Sequence, residues 1–556
     1  MMWAFMASRW ATALTFPVRA LRARRLIRPG TFVSLTIDGP VTELAERRRW
    51  FRRGAPPTTS LTDLRELAAE LRRDPKVRGV LVEIRSLRAG AATATSLREI
   101  LAKLKHSGKS VVAYLPAGAG SREMLVASAA ERIIVAPQSS ISPLGVAVES
   151  RYFRRALDRI GVMPEIFARG EFKTAGESLA RDSMSAEQRE QLGALLDVLS
   201  SELIEALGEN RQRSPDQTRA LVDGGPHRAS EAVAKGLADA VGYEDEVPSL
   251  VTGERNARLL PWRAYRSVRR AMPKARRVGV VHLRGPIVSR APFSFGRMAI
   301  DERIGAALRA AREARSLAGV VVLIDSPGGS VLASDRIHHE LMRLAEKKPV
   351  IACLGNVAAS GGYYVAAGAH AIVAQATTIT GSIGVVAAHL VLSPLMEKLG
   401  IVTELVKRGA RADMLSASRP LDDGERRAMS EEIDGYYRDF VDIVAKGRNK
   451  PAEEIEKLAR GRVYSGVEAL RVGLVDKLGG LDVAVDLCRE RAGETTDVDC
   501  AVVKAPRTTP KPPELPAPFV QALERLGGTH ACDLLGLALG TTPVERVLAY
   551  AGFELG

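Results

Sequence analysis

Gly355-Asn-Val-Ala-Ala-Ser-Gly-Gly-Tyr-Tyr-Val365 decides the reading of this chain. It follows a β-branched run over 350–354 and leads into an alanine-rich run over 365–369, the pattern of a strand, a tight turn and a helix. The turn holds Ser360 between an alanine and two glycines. A worn copy of the same passage lies 239 residues earlier: residues 350–385 align without a gap on 111–146, and Ser360 falls on Ser121. The chain is therefore a tandem duplication. At the same offset Lys173 of the first copy meets Ala412 of the second. A serine kept by one copy and a lysine kept by the other suggest one active site drawn from both.

Working outward, the first repeat covers 31–250 and the second 278–490. Short β-branched runs at 80–84, 111–115 and 132–135 alternate with helical patterns such as 61–71 and 95–104. The second repeat follows the same order, with 278–285 matching the opening strand at 32–39 and 320–324 matching 80–84. Strands alternating with helices imply βαβ units and mostly parallel sheets. A basic linker over 251–277 joins the repeats. Residues 491–556 form a proline-rich linker and a tail, in which one or two short helices are expected over 519–556.

Composition sets the outer bounds. In 556 residues, 46% hydrophobic and 26% charged content excludes wholesale disorder. The net charge of +15 is concentrated in two places. Residues 1–30 carry six arginines, and residues 255–277 carry eight arginines and one lysine, with no acid in either. They read as solvated connectors or as segments that adhere to anionic lipid, worth roughly 1 kcal/mol per basic residue. No known nucleic-acid motif accompanies them, so nucleic acid is not an expected partner. Residues 1–18 are apolar apart from Arg9 and a few hydroxyls. They suit an interrupted transmembrane anchor or an interfacial helix, and the side of the membrane stays open. Cys353, Cys488, Cys500 and Cys532 show neither metal nor disulfide spacing and read as thiols. Adjacent His338 and His339 read as exposed polar residues. No metal and no cofactor is expected.

Three further places carry chemistry. Asp325-Ser-Pro-Gly-Gly-Ser330 follows a strand directly. The amides of Gly328 and Gly329, with that of Gly361, can face a developing oxyanion; an ordinary strand-to-helix turn is the plainer reading. Ser360 is either a helix cap or a nucleophile, and the neighbouring Pro-Gly-Gly turn favours the nucleophile. Lys173 lies in a glycine-bounded loop after an expected strand at 164–168. It can act as a base only if burial lowers its pKa. Ser382, in Thr380-Gly-Ser-Ile-Gly384, can orient the lysine; its match in the first copy is Pro143. Ser121 with Lys173 forms a rival pair, but Arg122-Glu123 replaces the two glycines, and Ser86-Leu-Arg-Ala89 replaces the Pro-Gly-Gly turn.

The run from Asp325 to Ser330, Ala-Ala-Ser-Gly-Gly-Tyr-Tyr around Ser360, Thr-Gly-Ser-Ile-Gly-Val around Ser382, and Gly-Glu-Phe-Lys-Thr-Ala followed by Arg181-Asp-Ser-Met-Ser185 together resemble the bacterial signal peptide peptidase A family, also called protease IV, in its long duplicated form. The resemblance covers both repeats. It implies an α/β fold of two tandem crotonase/Clp-protease-like domains, each a β-β-α superhelix. It implies Ser360 as nucleophile, Lys173 as general base and Ser382 as the lysine's support. It further implies a membrane-associated homo-oligomer, a tetramer at the bacterial inner membrane, that cuts cleaved signal peptides. Two other readings stand beside it: a crotonase-fold acyl-CoA hydratase or isomerase, and a membrane scaffold whose catalytic pair has decayed.

Overall fold

The computed structural model describes residues 23, 25–45, 59–254, 259–269, 277–289, 298–495, 499–506 and 548–550. The apolar N-terminal stretch over 1–18 lies outside them. Among the described residues no helix is long and apolar enough to cross a membrane.

Two compact units emerge, and they do not coincide with the two repeats. One comprises residues 1–147 and 196–275; the other comprises 148–195 and 276–556. Thus 148–195, part of the first repeat by sequence, folds with the second.

In the first unit, β-branched segments build a parallel sheet. Its strand order is Ala240–Val241, Arg132–Val135, Ser110–Leu115, Val77–Arg88, Thr31–Thr42 and Leu260–Pro261. Helix Leu61–Arg73 buries Leu61, Leu64, Leu67 and Leu71, spaced for one face, and Ser60 caps it by accepting from Asp63 N. The basic linker is less solvated than its composition suggests. Its helix Trp262–Arg269 buries Tyr265 and Val268. Arg266 pairs with Asp63 at 3.0 Å and with Glu66, and Arg269 pairs with Asp74 at 2.9 Å. These two arginines are paired with carboxylates inside the unit.

The second unit repeats the plan. Its sheet runs Val463–Ser465, Ile379–Gly381, Val350–Ala359, Leu317–Ser326, Arg277–Arg284 and Asp499–Val502. The segment 320–324 is almost wholly buried, so Val320, Val321, Val322, Leu323 and Ile324 need no polar alternation. Strand Val350–Ala359 forks. Its first half pairs in parallel with Ala371–Ala374 and its last three residues with Ile379–Gly381. The fork ends at Ser360.

The Asp325 to Ser330 run is more than a turn. Its strand continues to Ser326, and Gly328–Ser330 begins another sheet. That sheet has the order Ala299–Ile300, Ile287–Val288, Gly328–Ser330, Leu548–Tyr550, Val385–Val391 and Met163–Arg169. In the tail, expected to be helical, 548–550 is thus a strand, antiparallel to Gly328–Ser330. His338, expected to be exposed, is half-buried edge-on against Tyr364, with ring centroids 5.4 Å apart.

Arg266 supplies the test of this architecture. Arg266→Ala leaves Asp63, Glu66 and Glu70 facing one another without their shared cation. It is expected to lower stability by about 1–3 kcal/mol, read as a lower urea midpoint, with binding to anionic vesicles unchanged.

Candidate active site

Ser360 sits between the forked strand and helix Gly361–Ala366 with φ 54° and ψ −121°, a backbone conformation that residues other than glycine seldom adopt. The surroundings over-determine it. Its N–H donates to Gly381 O at 2.8 Å, and its carbonyl accepts from Tyr364 N at 2.8 Å. Tyr363 Oη donates to Leu474 O at 2.7 Å and Tyr364 Oη to Asp335 Oδ1 at 3.0 Å, which fixes the helix that follows. A Cβ on Gly361 would come within 2.4 Å of Ser334 Oγ and 3.3 Å of Gly329 N, so a bare backbone is required there. Gly329, at φ 152°, lies against Ile287, whose carbonyl oxygen a Cβ would meet at 2.1 Å. The amide of Gly328 donates to Ser326 Oγ at 3.2 Å.

Lys173 reaches the same place within the same compact unit. Strand Met163–Arg169 pairs antiparallel with Val385–Val391, from Val385 opposite Arg169 to Val391 opposite Met163. Glu165 locks that ladder. Burial pushes its carboxyl up, but hydrogen bonds from His389 and the Leu421 amide, with Arg426 beside it, outweigh burial and hold it below the usual carboxylate range. The loop after the strand then turns back against residues 460–462. Phe172 N donates to Arg460 O at 2.9 Å, and a Cβ on Gly461, at φ 78°, would come within 2.4 Å of Lys173 N. Buried Gln191 donates to Phe172 O at 3.3 Å and to Thr174 Oγ1 at 2.9 Å, and accepts from Val463 N at 3.3 Å.

The side chain that results is 4% exposed. Its Nζ lies 2.9 Å from Ser360 Oγ, 3.0 Å from Ser382 O and 3.0 Å from Ser382 Oγ. An ammonium has three protons, and these three oxygens take all of them. Burial alone draws the amine down from its ordinary 10.5 to about 7. Ser382 is itself held at φ 51°, with its N–H donating to Arg462 O at 2.7 Å.

The structure thus brings together Ser360, Lys173 and Ser382, with Gly329 and Gly361 alongside. The rival Ser121 is occupied elsewhere: its hydroxyl donates to Gly145 O at 2.7 Å. Sequence reasoning missed Gln191, Gly461 and the Arg460–Arg462 backbone. It also missed Asp325, whose Oδ1 accepts from Asn356 N at 3.1 Å and Val357 N at 3.3 Å to hold the strand before the serine. Only the duplication offered a signal for any of this, and it points to Lys173, not to what clamps it.

Comparison with known proteins identifies the family. The model of peptidase family S49 matches twice, over residues 103–257 and 342–494. The chain belongs to peptidase family S49. It is a serine protease of that family. A Clp protease model also matches residues 297–380, in keeping with the crotonase/Clp-like layout of the parallel sheets. Among relatives, the chain is 30% identical to the chloroplastic serine protease SPPA of Arabidopsis thaliana over 502 residues, 88% of this chain and 73% of that one. It is likewise 30% identical to protease 4 of Salmonella typhi over 454 residues, 78% of this chain and 72% of that one. Membership in a peptidase family displaces the acyl-CoA hydratase reading.

A buried amine has a thermodynamic signature. The folded state disfavours the lysine proton, so between pH 7 and 10.5 the unfolded chain binds more protons and stability rises with pH. Lys173→Met removes that penalty. The variant is expected to be more stable than the parent by a few kcal/mol at pH 6, with the gain shrinking as pH rises from about 7 towards 10.5. Denaturant titrations at pH 6, 8 and 10 measure it.

Proposed function

We propose that this peptidase works through a Ser360–Lys173 dyad and acts on extended apolar peptides, such as signal-peptide remnants, at a membrane surface. The observation that carries the reading is the 2.9 Å contact between Lys173 Nζ and Ser360 Oγ in a buried setting. Once Nζ loses its proton, Ser382 O and Oγ accept its two remaining N–H bonds, which leaves the lone pair directed at the serine. Ser360 Oγ attacks the peptide carbonyl carbon as its proton passes to Nζ. The amides of Gly329 and Gly361 are proposed to face the oxyanion, whereas that of Gly328 already donates to Ser326 Oγ. Collapse breaks the C–N bond, and the ammonium gives its proton to the departing amine. Water, deprotonated by the same lysine, then cleaves the acyl ester and restores both side chains.

Substrate class follows from the surface next to the serine. Gly328–Ser330 pairs with an antiparallel segment, 548–550, on the edge away from Ile287–Val288, and a peptide in extended form is proposed to take that segment's place through backbone hydrogen bonds. The arginine-rich N-terminal segment is proposed to hold the protein at anionic lipid, where apolar peptides are concentrated.

Ser360→Ala is expected to lower peptide cleavage at least about 10⁴-fold and to abolish fluorophosphonate labelling. Labelling that persists would remove the serine assignment. A parent protein that is folded but unlabelled and inactive would favour the decayed scaffold. Lys173→Ala is expected to match it in loss of activity, with an unchanged circular dichroism spectrum. Ser382→Ala, which keeps the backbone acceptor, should cost about 10–100-fold in kcat. In the parent, kcat/KM should fall on the acid side of about pH 7 as the amine protonates. A profile flat from pH 5 to 9 would exclude a lysine base.

A further inference from the structure

Strands Leu317–Ser326 and Val350–Ala359 run in register until just before the serine turn, and then fall out of it. Leu354 lies opposite Ile324, an offset of 30 in residue number, whereas Ala358 lies opposite Ser326, an offset of 32. Gly355, Asn356 and Val357 therefore stand against the single residue Asp325. A bulge of this kind bends a strand and re-aims the side chains beyond it.

Asp325 fills the bulge. Its Oδ1 accepts from Asn356 N at 3.1 Å and from Val357 N at 3.3 Å, two successive amides that a regular strand would point in opposite directions. Its own carbonyl accepts from Gly285 N at 2.9 Å, and Arg284 Nε lies 4.0 Å from Oδ2. A Cβ on Gly355 would come within 2.9 Å of Asp325 Cβ and 3.1 Å of its Oδ1, so the bare backbone there makes room for the carboxylate. Two threonines hold the ends of the bulge: Thr378 Oγ1 donates to Gly355 O at 2.8 Å, and Thr380 Oγ1 to Ala358 O at 2.7 Å. The new offset persists past the strands. Gly361 lies against Gly329, again 32 apart, where a Cβ would come within 3.3 Å of Gly329 N. At the earlier offset Gly329 would face Ala359, and the serine would lie two residues further along, about 7 Å in an extended strand.

The first copy has no such carboxylate. Arg85 stands at the position of Asp325, and a guanidinium accepts no hydrogen bond. It pairs instead with Glu83 at 2.5 Å and Glu244 at 3.0 Å. Strand Ser110–Leu115 stops before Pro116, and Ser121 starts a helix without a positive φ.

We infer that Asp325 is a positioning residue for proteolysis: by filling the bulge at 355–357 it sets the register at which the amides of Gly329 and Gly361 face one acyl oxygen beside Ser360. The inference rests on the dyad and oxyanion reading proposed above and adds what fixes their spacing. Lys173 is clamped by other elements, so its setting is expected to survive a change at Asp325.

The test uses the full-length protein. Asp325→Ala is expected to lower kcat for a peptide substrate about 100-fold, with KM within about twofold of the parent and the acid limb still near pH 7. Binding of a peptide aldehyde, whose hemiacetal oxygen takes the oxyanion's place, should weaken about as much as kcat/KM falls. Asp325→Asn keeps an acceptor at Oδ1 and should restore kcat to within about fivefold of the parent. Should Asp325→Ala fail to fold, Gly355→Ala, which presses a methyl group on the carboxylate, is expected to give the same pattern. A labelled and active parent whose Asp325→Ala keeps its kcat, loses activity only through KM, or moves its acid limb overturns this proposal and leaves the dyad standing. So does an Asn variant as impaired as the Ala variant. A parent that fluorophosphonate does not label at Ser360 overturns the dyad reading, and this inference with it.

Discussion

An amine excluded from water governs this molecule. Lys173 would be a commonplace surface cation if its loop hung free, and its ordinary protonation would then silence it at neutral pH. Instead a strand ladder, a backbone turn at 460–462 and one buried glutamine press it against two serines. The resulting affinity for a proton is near neutrality, where a group can both take and return one. Ser360 and Ser382 contribute from the other side, both held at positive φ, so strain and desolvation are concentrated in the same few ångströms.

Much of this was legible in the chain. Runs such as 320–324 and 350–354 are buried on both faces, so their side-chain type alone marks them as central parallel strands. Ser360 stood out through its glycines, and Lys173 through the comparison of two internal copies. Other features depended on contacts distant in sequence. Gly461 lies 288 residues after Lys173, and no local pattern marks it as the surface on which the lysine rests. Arg266 and Arg269 looked like solvated charge because their partners, Asp63, Glu66 and Asp74, lie about 200 residues away. The exchange of 148–195 between units is invisible to periodicity, since a strand reads the same whichever sheet receives it.

The two copies illustrate how duplication divides labour. The second keeps the glycines that let backbone crowd around the Ser360 hydroxyl. The first keeps the lysine but has filled its own serine turn with Arg122 and Glu123. Ser121 shows what remains once the backbone relaxes: preceded by Gly120 at an ordinary φ of −87°, it donates its hydroxyl to a nearby carbonyl and becomes structural. The difference between Ser360, the proposed nucleophile, and a fastening such as Ser121 is a matter of backbone geometry and neighbours more than of residue type.

The interleaving of the units also orders events in time. A ribosome releases residues 148–195 well before it has made the serine turn at 360, and the strand that receives them, 385–391, comes later still. A nascent chain therefore passes through a long interval in which its amine has no dry pocket and its serine does not yet exist. Delay is thus written into the order of translation, and under the proposed dyad the protease stays inert while its own strands emerge.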